Sequence, residues 1–187
     1  MIKKLILITI LLIGFCFLVS CGSDENQSDS NLTKIESAQT AETNSKYSFT
    51  AYDLNGVKRS SSEWMGKQPL VVNFWGTWCP PCRKEIPELV KLYKEYKPKG
   101  IEIVSLALRD SPQQVAEFAS QAGMDWILLV DDRQTAIKYR VTGVPSTLFF
   151  DRNGNLTKVI DYNGLAVERF IGPRPYEVFK EAFETIL

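Results

Sequence analysis

Hydrophobic residues along this chain fall in blocks, and the spacing inside the blocks changes from one to the next. Leu5 to Val19 is a continuous apolar run behind Lys3 and Lys4, whereas Gly22 to about Ser45 holds only Leu32 and Ile35 as larger aliphatics. Beyond it, Phe49 to Lys58 encloses Asn55-Gly56, a hairpin signal between Thr/Tyr-rich flanks. Ser60 to Trp64 reads as a short helical turn. Leu70 to Trp75 follows Pro69 as an apolar run with β-branched residues, which suits a buried central strand.

The period then switches. From about Pro80 to Tyr96, Ile86, Leu89, Val90 and Tyr93 recur at helical spacing, and Gly100 stops the helix. Pro87 inside it removes a hydrogen bond, at a cost of about 3 kcal/mol or a kink. Ile101 to Leu108 reads as a second apolar strand. Ser111-Pro112 caps and opens a helix through Ala122 that Gly123 closes. Trp126 to Val130 follows as a strand and Arg133 to Tyr139 as a short helix. Ser146 to Phe150 is a further strand, with Leu156 to Asp161 expected as its partner across Asn153-Gly154. Asn163-Gly164 then precedes Ala166 to Ile171, and a last helix from near Pro175 carries Val178, Phe179, Ala182 and Phe183 on one face. Strands alternating with crossover helices and closing in hairpins predict an α/β fold, a central mixed sheet flanked by helices on both faces.

Composition narrows the chemistry. The 187 residues include four cysteines and no histidine, which excludes Ser/His/Asp and Cys/His catalysis and any His-ligated metal. Lys+Arg and Asp+Glu are 22 each and the pI is near 6.4, so no basic footprint points to nucleic acid. The fifteen-residue apolar run is shorter than the roughly 20 residues of a membrane-spanning helix and suits an export signal over residues 1–20. It ends in Leu18-Val19-Ser20-Cys21, which resembles the lipobox of bacterial lipoproteins. That resemblance implies lipidation of Cys21, a contact with the lipid bilayer, and an extracytoplasmic location on the periplasmic side or the outer face of a cell membrane. Residues 21–45 then form a flexible tether too poor in apolar surface to fold. Five acids and one base lie in that tether, and residues 46–187 carry 19 bases against 17 acids, neither balance large enough to steer a partner.

With Cys16 in the signal and Cys21 at the anchor, the folded part keeps only Cys79 and Cys82. A C-x-x-C pair is a redox centre or half of a metal site. It falls after a buried strand and at a helix start, where free N–H groups and the helix dipole stabilise a thiolate and make Cys79 the nucleophile. Cys82, about one turn on, is placed to resolve a mixed disulfide. Pro80 and Pro81 stiffen the loop. Trp75, Trp78 and Phe74 are expected around the pair, with Trp78 at the surface to dock a polypeptide and Phe74 in the core.

Residues 71 to 87, Val-Val-Asn-Phe-Trp-Gly-Thr-Trp-Cys-Pro-Pro-Cys-Arg-Lys-Glu-Ile-Pro, together with Gly143-Val144-Pro145-Ser146-Thr147, resemble the TlpA/ResA-like thiol-disulfide oxidoreductases of the thioredoxin superfamily. The resemblance implies a thioredoxin-like fold with an N-terminal hairpin and a helix-strand insert at Ser111 to Val130. Gly143 to Thr147 looks like the family's cis-proline loop, with the isomer at Pro145 left open by the sequence, and the resemblance implies that Val144 and Pro145, with Trp78 and Pro80, bind substrate. Asn73 stands where cytoplasmic thioredoxins carry a buried acid. Glu85, three residues after Cys82, matches the acid of the ResA-like subgroup and would accept the proton of Cys82, or else be a first-turn glutamate favoured by the helix dipole.

The resemblance further implies a monomer without cofactor or metal that reduces disulfides in exported proteins, with apocytochrome c a frequent substrate and a membrane thiol reductant restoring the dithiol. The alternatives are a thiol peroxidase of the peroxiredoxin-like branch, a disulfide oxidase or isomerase, a copper-delivery module, which the absent histidines disfavour, and a binding module with incidental cysteines.

Overall fold

The computed structural model describes residues 46–131 and 133–187. The expected export signal over residues 1–20, Cys21 and the expected tether over residues 21–45 lie outside the described residues. Among the described residues nine strands and four α-helices follow one another. The hairpin β1 (Thr50–Asp53) and β2 (Lys58–Ser60) turns at Asn55-Gly56, where the Asp53 carboxylate accepts the Asn55 and Val57 N–H groups at 2.9 and 3.0 Å. A 3-10 turn at Ser61–Glu63, closed by a Ser60/Glu63 capping box, leads to β3 (Leu70–Trp75). Then come α1 (Pro80–Tyr96), β4 (Glu102–Leu108), α2 (Pro112–Ala122), β5 (Ile127–Asp131) and the short α3 (Gln134–Lys138). The chain ends in β6 (Ser146–Phe150), β7 (Val159–Ile160), β8 (Ala166–Val167), β9 (Arg169–Ile171) and α4 (Tyr176–Ile186).

Seven strands make one mixed sheet in the order β2-β1-β5-β4-β3-β6-β9. β3, β4 and β5 run parallel through the crossover helices α1 and α2, and β1, β6 and β9 are antiparallel to their neighbours. The central β3 is buried along its whole length, as a strand covered on both faces must be. Its side chains alternate between two cores. Val71 and Trp75 pack with α1, α2 and α4, including Leu89, Val115, Phe179 and Phe183. Leu70, Val72 and Phe74 pack on the other face against Tyr47, Phe49, Trp64 and, from α3 and its C-cap, Ala136 and Tyr139.

Two expectations need correcting. Leu156 to Asp161 is not the partner strand of β6: Leu156 makes one isolated bridge to Phe150, and Val159–Ile160 pairs instead with Ala166–Val167 in a separate two-stranded ribbon. Ala166 to Ile171 is likewise split, its second half forming β9 beside β6. Burial supplies the reason, since Val159 and Phe170 both enter the core under α4 and Phe170 stacks edge-on to Phe149 and Phe179 at 5.1 and 5.5 Å. Helix α1 also continues without a break through Pro87.

Candidate active site

Cys79 and Cys82 sit where β3 hands over to α1. Gly76 starts the turn, accepting the Cys79 N–H on its carbonyl at 3.1 Å. The buried Asp110 carboxylate clamps the loop by accepting the Thr77 N–H at 2.8 Å and the Thr77 hydroxyl at 2.6 Å. Cys79 is the N-cap of α1, and its Sγ accepts the Cys82 N–H at 3.2 Å, followed by Pro80 and Pro81 in the first turn. The two cysteines form a disulfide with Cα atoms 5.3 Å apart and are 3% and 1% exposed. Once reduced, a thiolate at Cys79 keeps that N–H and the positive end of a 17-residue helix.

The Val144–Pro145 bond is cis, and the Val144 carbonyl lies 3.6 Å from Cys79 Sγ. The structure thus brings Val144 and Pro145 to the cysteines from the start of β6. Pro80 is exposed. Trp78 is 46% exposed, donates its indole N–H to the Leu108 carbonyl at 2.7 Å, and lies under the Arg109 guanidinium at 5.1 Å. Trp78, Arg109, Thr142, Gly143 and Val144 border a cleft of about 130 Å³ beside Cys79. A larger cleft of about 530 Å³ lies at Phe49, Thr50 and Thr135, among residues that hold no sulfur. Phe74 does not surround the pair; it packs on the opposite face of the sheet, as the strict alternation of β3 requires.

Gly76 makes the Trp78 position possible. A Cβ there would fall 2.5 Å from Trp78 Nε1 and 2.8 Å from Cε2. Gly76→Ala is therefore expected to push the indole off the Leu108 carbonyl. The indole N–H resonance of Trp78 should move upfield and exchange faster with solvent, and an unmoved resonance would show that the loop yields instead.

Glu85 is not a solvated first-turn glutamate. It is 2% exposed, one helical step from Cys82 on the buried face of α1. Burial raises its pKa to about 8, with Arg174, through its main chain and charge, and the Asn73 amide pulling in the opposite direction. Asn73 donates to Glu85 Oε1 at 3.2 Å, and Oε2 has no hydrogen-bond partner of ordinary geometry. Among the described residues no group of three or more His, Cys, Asp or Glu side chains gathers to hold a metal.

The profile of the AhpC/TSA family matches residues 44–159, more than half of the chain. The chain belongs to the AhpC/TSA family. This family member is 36% identical over 113 residues to the thiol-disulfide oxidoreductase ResA of Bacillus subtilis, covering 60% of this chain and 63% of that protein. It is 34% identical over 113 residues to the ResA of Geobacillus kaustophilus, covering 60% and 64%. It therefore spans just under two thirds of the length of these relatives. A thiol:disulfide interchange protein of the thioredoxin family from Chlorobium tepidum superposes with a TM-score of 0.62 at 26% identity, covering 74% of this chain and 92% of that one. The fold is thioredoxin-like.

Several residues around the cysteine pair of this AhpC/TSA chain were missed from sequence. Thr147 accepts a second N–H from Asn73 at 3.0 Å. Arg174 sits over the Phe170 and Tyr162 rings at 5.3 and 4.7 Å and donates to the carbonyls of Ile171, Gly172 and Pro173. For Arg174 the only local signal is its place between two prolines. Asp110 carried a weak one, an acid at the end of an apolar strand.

Proposed function

We propose that this protein is a thiol-disulfide oxidoreductase that reduces disulfides in exported proteins, held to a membrane by lipid on Cys21. The observation that carries the reading is the Cys79–Cys82 disulfide at the N-terminus of α1, with the Val144 carbonyl 3.6 Å from Cys79 Sγ. In the reduced enzyme the Cys79 thiolate attacks one sulfur of a substrate disulfide. A bond forms between Cys79 and that sulfur, and the other substrate sulfur leaves as a thiolate that takes a proton from water. Glu85 accepts the proton of Cys82, whose thiolate then attacks Cys79 Sγ. The enzyme disulfide forms, the mixed disulfide breaks, and the second substrate sulfur departs as a thiolate that takes a proton from water. The enzyme is oxidised by two electrons, which a membrane thiol reductant returns.

Val144, Pro145 and Pro80 border the path of an extended substrate chain, and Trp78 offers it an apolar face. The names of the ResA relatives support the activity. The apolar run before Cys21 supports an extracytoplasmic site, with a disulfide between the cysteines of apocytochrome c as the first substrate to test.

Trapping tests this. Cys82→Ser should leave Cys79 holding its substrate in a stable mixed disulfide that a reductant releases for identification. Failure to capture any exported protein while Cys79 still reacts with an alkylating reagent would remove the reading. Peroxide consumption that survives Cys82→Ser would favour a thiol peroxidase instead.

A further inference from the structure

Asn73, Ser105 and Thr147 occupy one row across the sheet, since Asn73 of β3 is in register with Ser105 of β4 and with Thr147 of β6. All three are buried, at 1%, 0% and 1% exposure. Trp126, just before β5, donates its indole N–H to Ser105 Oγ at 2.8 Å, and Ser105 Oγ lies 3.4 Å from Asn73 Oδ1. These contacts favour one direction for the hydrogen bonds of the row. An indole N–H only donates, so Ser105 accepts from Trp126 and has one hydroxyl proton left to give. Asn73 Oδ1 takes it. A flipped Asn73 would leave that proton without its acceptor and turn an oxygen toward Glu85 Oε1. The amide N–H groups of Asn73 therefore point at Thr147 Oγ1 and Glu85 Oε1, at 3.0 and 3.2 Å.

We propose that Trp126, Ser105 and Asn73 are positioning residues that hold Glu85 in one orientation, with Oε1 always an acceptor and Oε2 the oxygen that gains and loses the proton. This rests on the reading of Glu85 as the proton acceptor for Cys82. In that step the Cys82 S–H bond breaks, an O–H bond forms on Oε2, and the Asn73 hydrogen bond to Oε1 is kept throughout. The row supplies what an amide at position 73 can offer in place of a carboxylate: it cannot take the proton, but its N–H favours the ionised form of the group that does. Arg174, from the segment between β9 and α4, also acts on Glu85, through its main-chain N–H and through its charge. Cys79 and Cys82 join as titrating neighbours when reduced.

The test uses the full-length protein with Ser105→Ala and with the double variant Ser105→Ala/Trp126→Phe. Ser105→Ala leaves the indole N–H and Asn73 Oδ1 buried without partners and should lower stability. The double variant removes the indole orphan and should recover part of that loss. Titration of the Glu85 carboxyl, followed by infrared absorption of labelled glutamate with Glu85→Gln as the blank, should move up by about one pH unit in both variants. Below that pH the resolving step should slow about tenfold. A Glu85 titration that stays at its wild-type pH in both variants, or that returns with stability in the double variant, overturns the proposal. A wild-type protein that exchanges no disulfide would sink the functional reading instead, and the carboxyl titration would still judge the row.

Discussion

Oxidised protein carrying Glu85→Gln is expected to keep its stability from pH 4.5 to pH 8, an interval over which the unsubstituted oxidised protein loses several kcal/mol. The folded chain holds the Glu85 proton up to about pH 8, whereas an unfolded glutamate releases it near the ordinary value of 4.5. Across that interval the folded state binds more protons than the unfolded state, so unfolding becomes easier as pH rises. The stabilisation is complete below the unfolded pKa and is lost as pH passes the folded one. At roughly 1.4 kcal/mol per pH unit the full loss approaches 4–5 kcal/mol, an upper figure for a single buried group. Glutamine does not titrate, so the variant should overtake the parent at alkaline pH. Urea unfolding of both proteins at pH 5 and pH 8.5, without reductant, measures the difference directly. Parallel pH dependences would mean that Glu85 is already ionised in the fold.

The same proton links stability to the reaction. On the proposed reading, the proton that Glu85 takes from Cys82 can stay on that carboxyl once the enzyme disulfide has formed. A carboxyl buried beside Asn73, its pKa raised by burial to about 8, stays protonated at neutral pH. The oxidised state described here is the one in which Glu85 should be neutral.

Much of this arrangement was legible in the sequence because its signals are local. Leu70 to Trp75, the Ser111-Pro112 cap and the Gly123 stop each act within a few residues and mark β3 and α2, whereas α1 ends at Tyr96 and passes into a 3-10 turn, Lys97–Lys99, that Gly100 closes. The C-x-x-C motif located the cysteine pair at the strand-to-helix junction. The C-terminal pairing was not legible. Its strands are two or three residues long, and their pairing goes with the burial of both Val159 and Phe170 under the distant helix α4, which no local signal reports. Glu85 had a signal, the spacing from Cys82, but flanking Arg83 and Lys84 hid its burial. The positioning row was illegible for a different reason. Asn73, Ser105 and Thr147 belong to three strands, and only the register brings them together.

Cys79→Ser is expected to eliminate turnover, a loss of at least about a thousandfold, while Cys82→Ser completes one round of attack and stops. The asymmetry follows from where each sulfur sits on α1. Serine at position 79 remains a good N-cap, its oxygen able to accept the Cys82 N–H that Cys79 Sγ now accepts at 3.2 Å, so the helix start should survive. What it loses is an ionisable nucleophile, because the helix dipole can bring a thiol into the neutral range but not a hydroxyl. In Cys82→Ser the nucleophile and its stabilising N–H both remain, and only the group that would expel the substrate is gone. Rapid mixing of each reduced variant with a disulfide substrate should therefore give no thiol release for Cys79→Ser and a burst of one equivalent for Cys82→Ser. The reverse pattern, with the burst in Cys79→Ser, would assign the attack to Cys82. It would also remove the argument that the N-cap position selects the nucleophile.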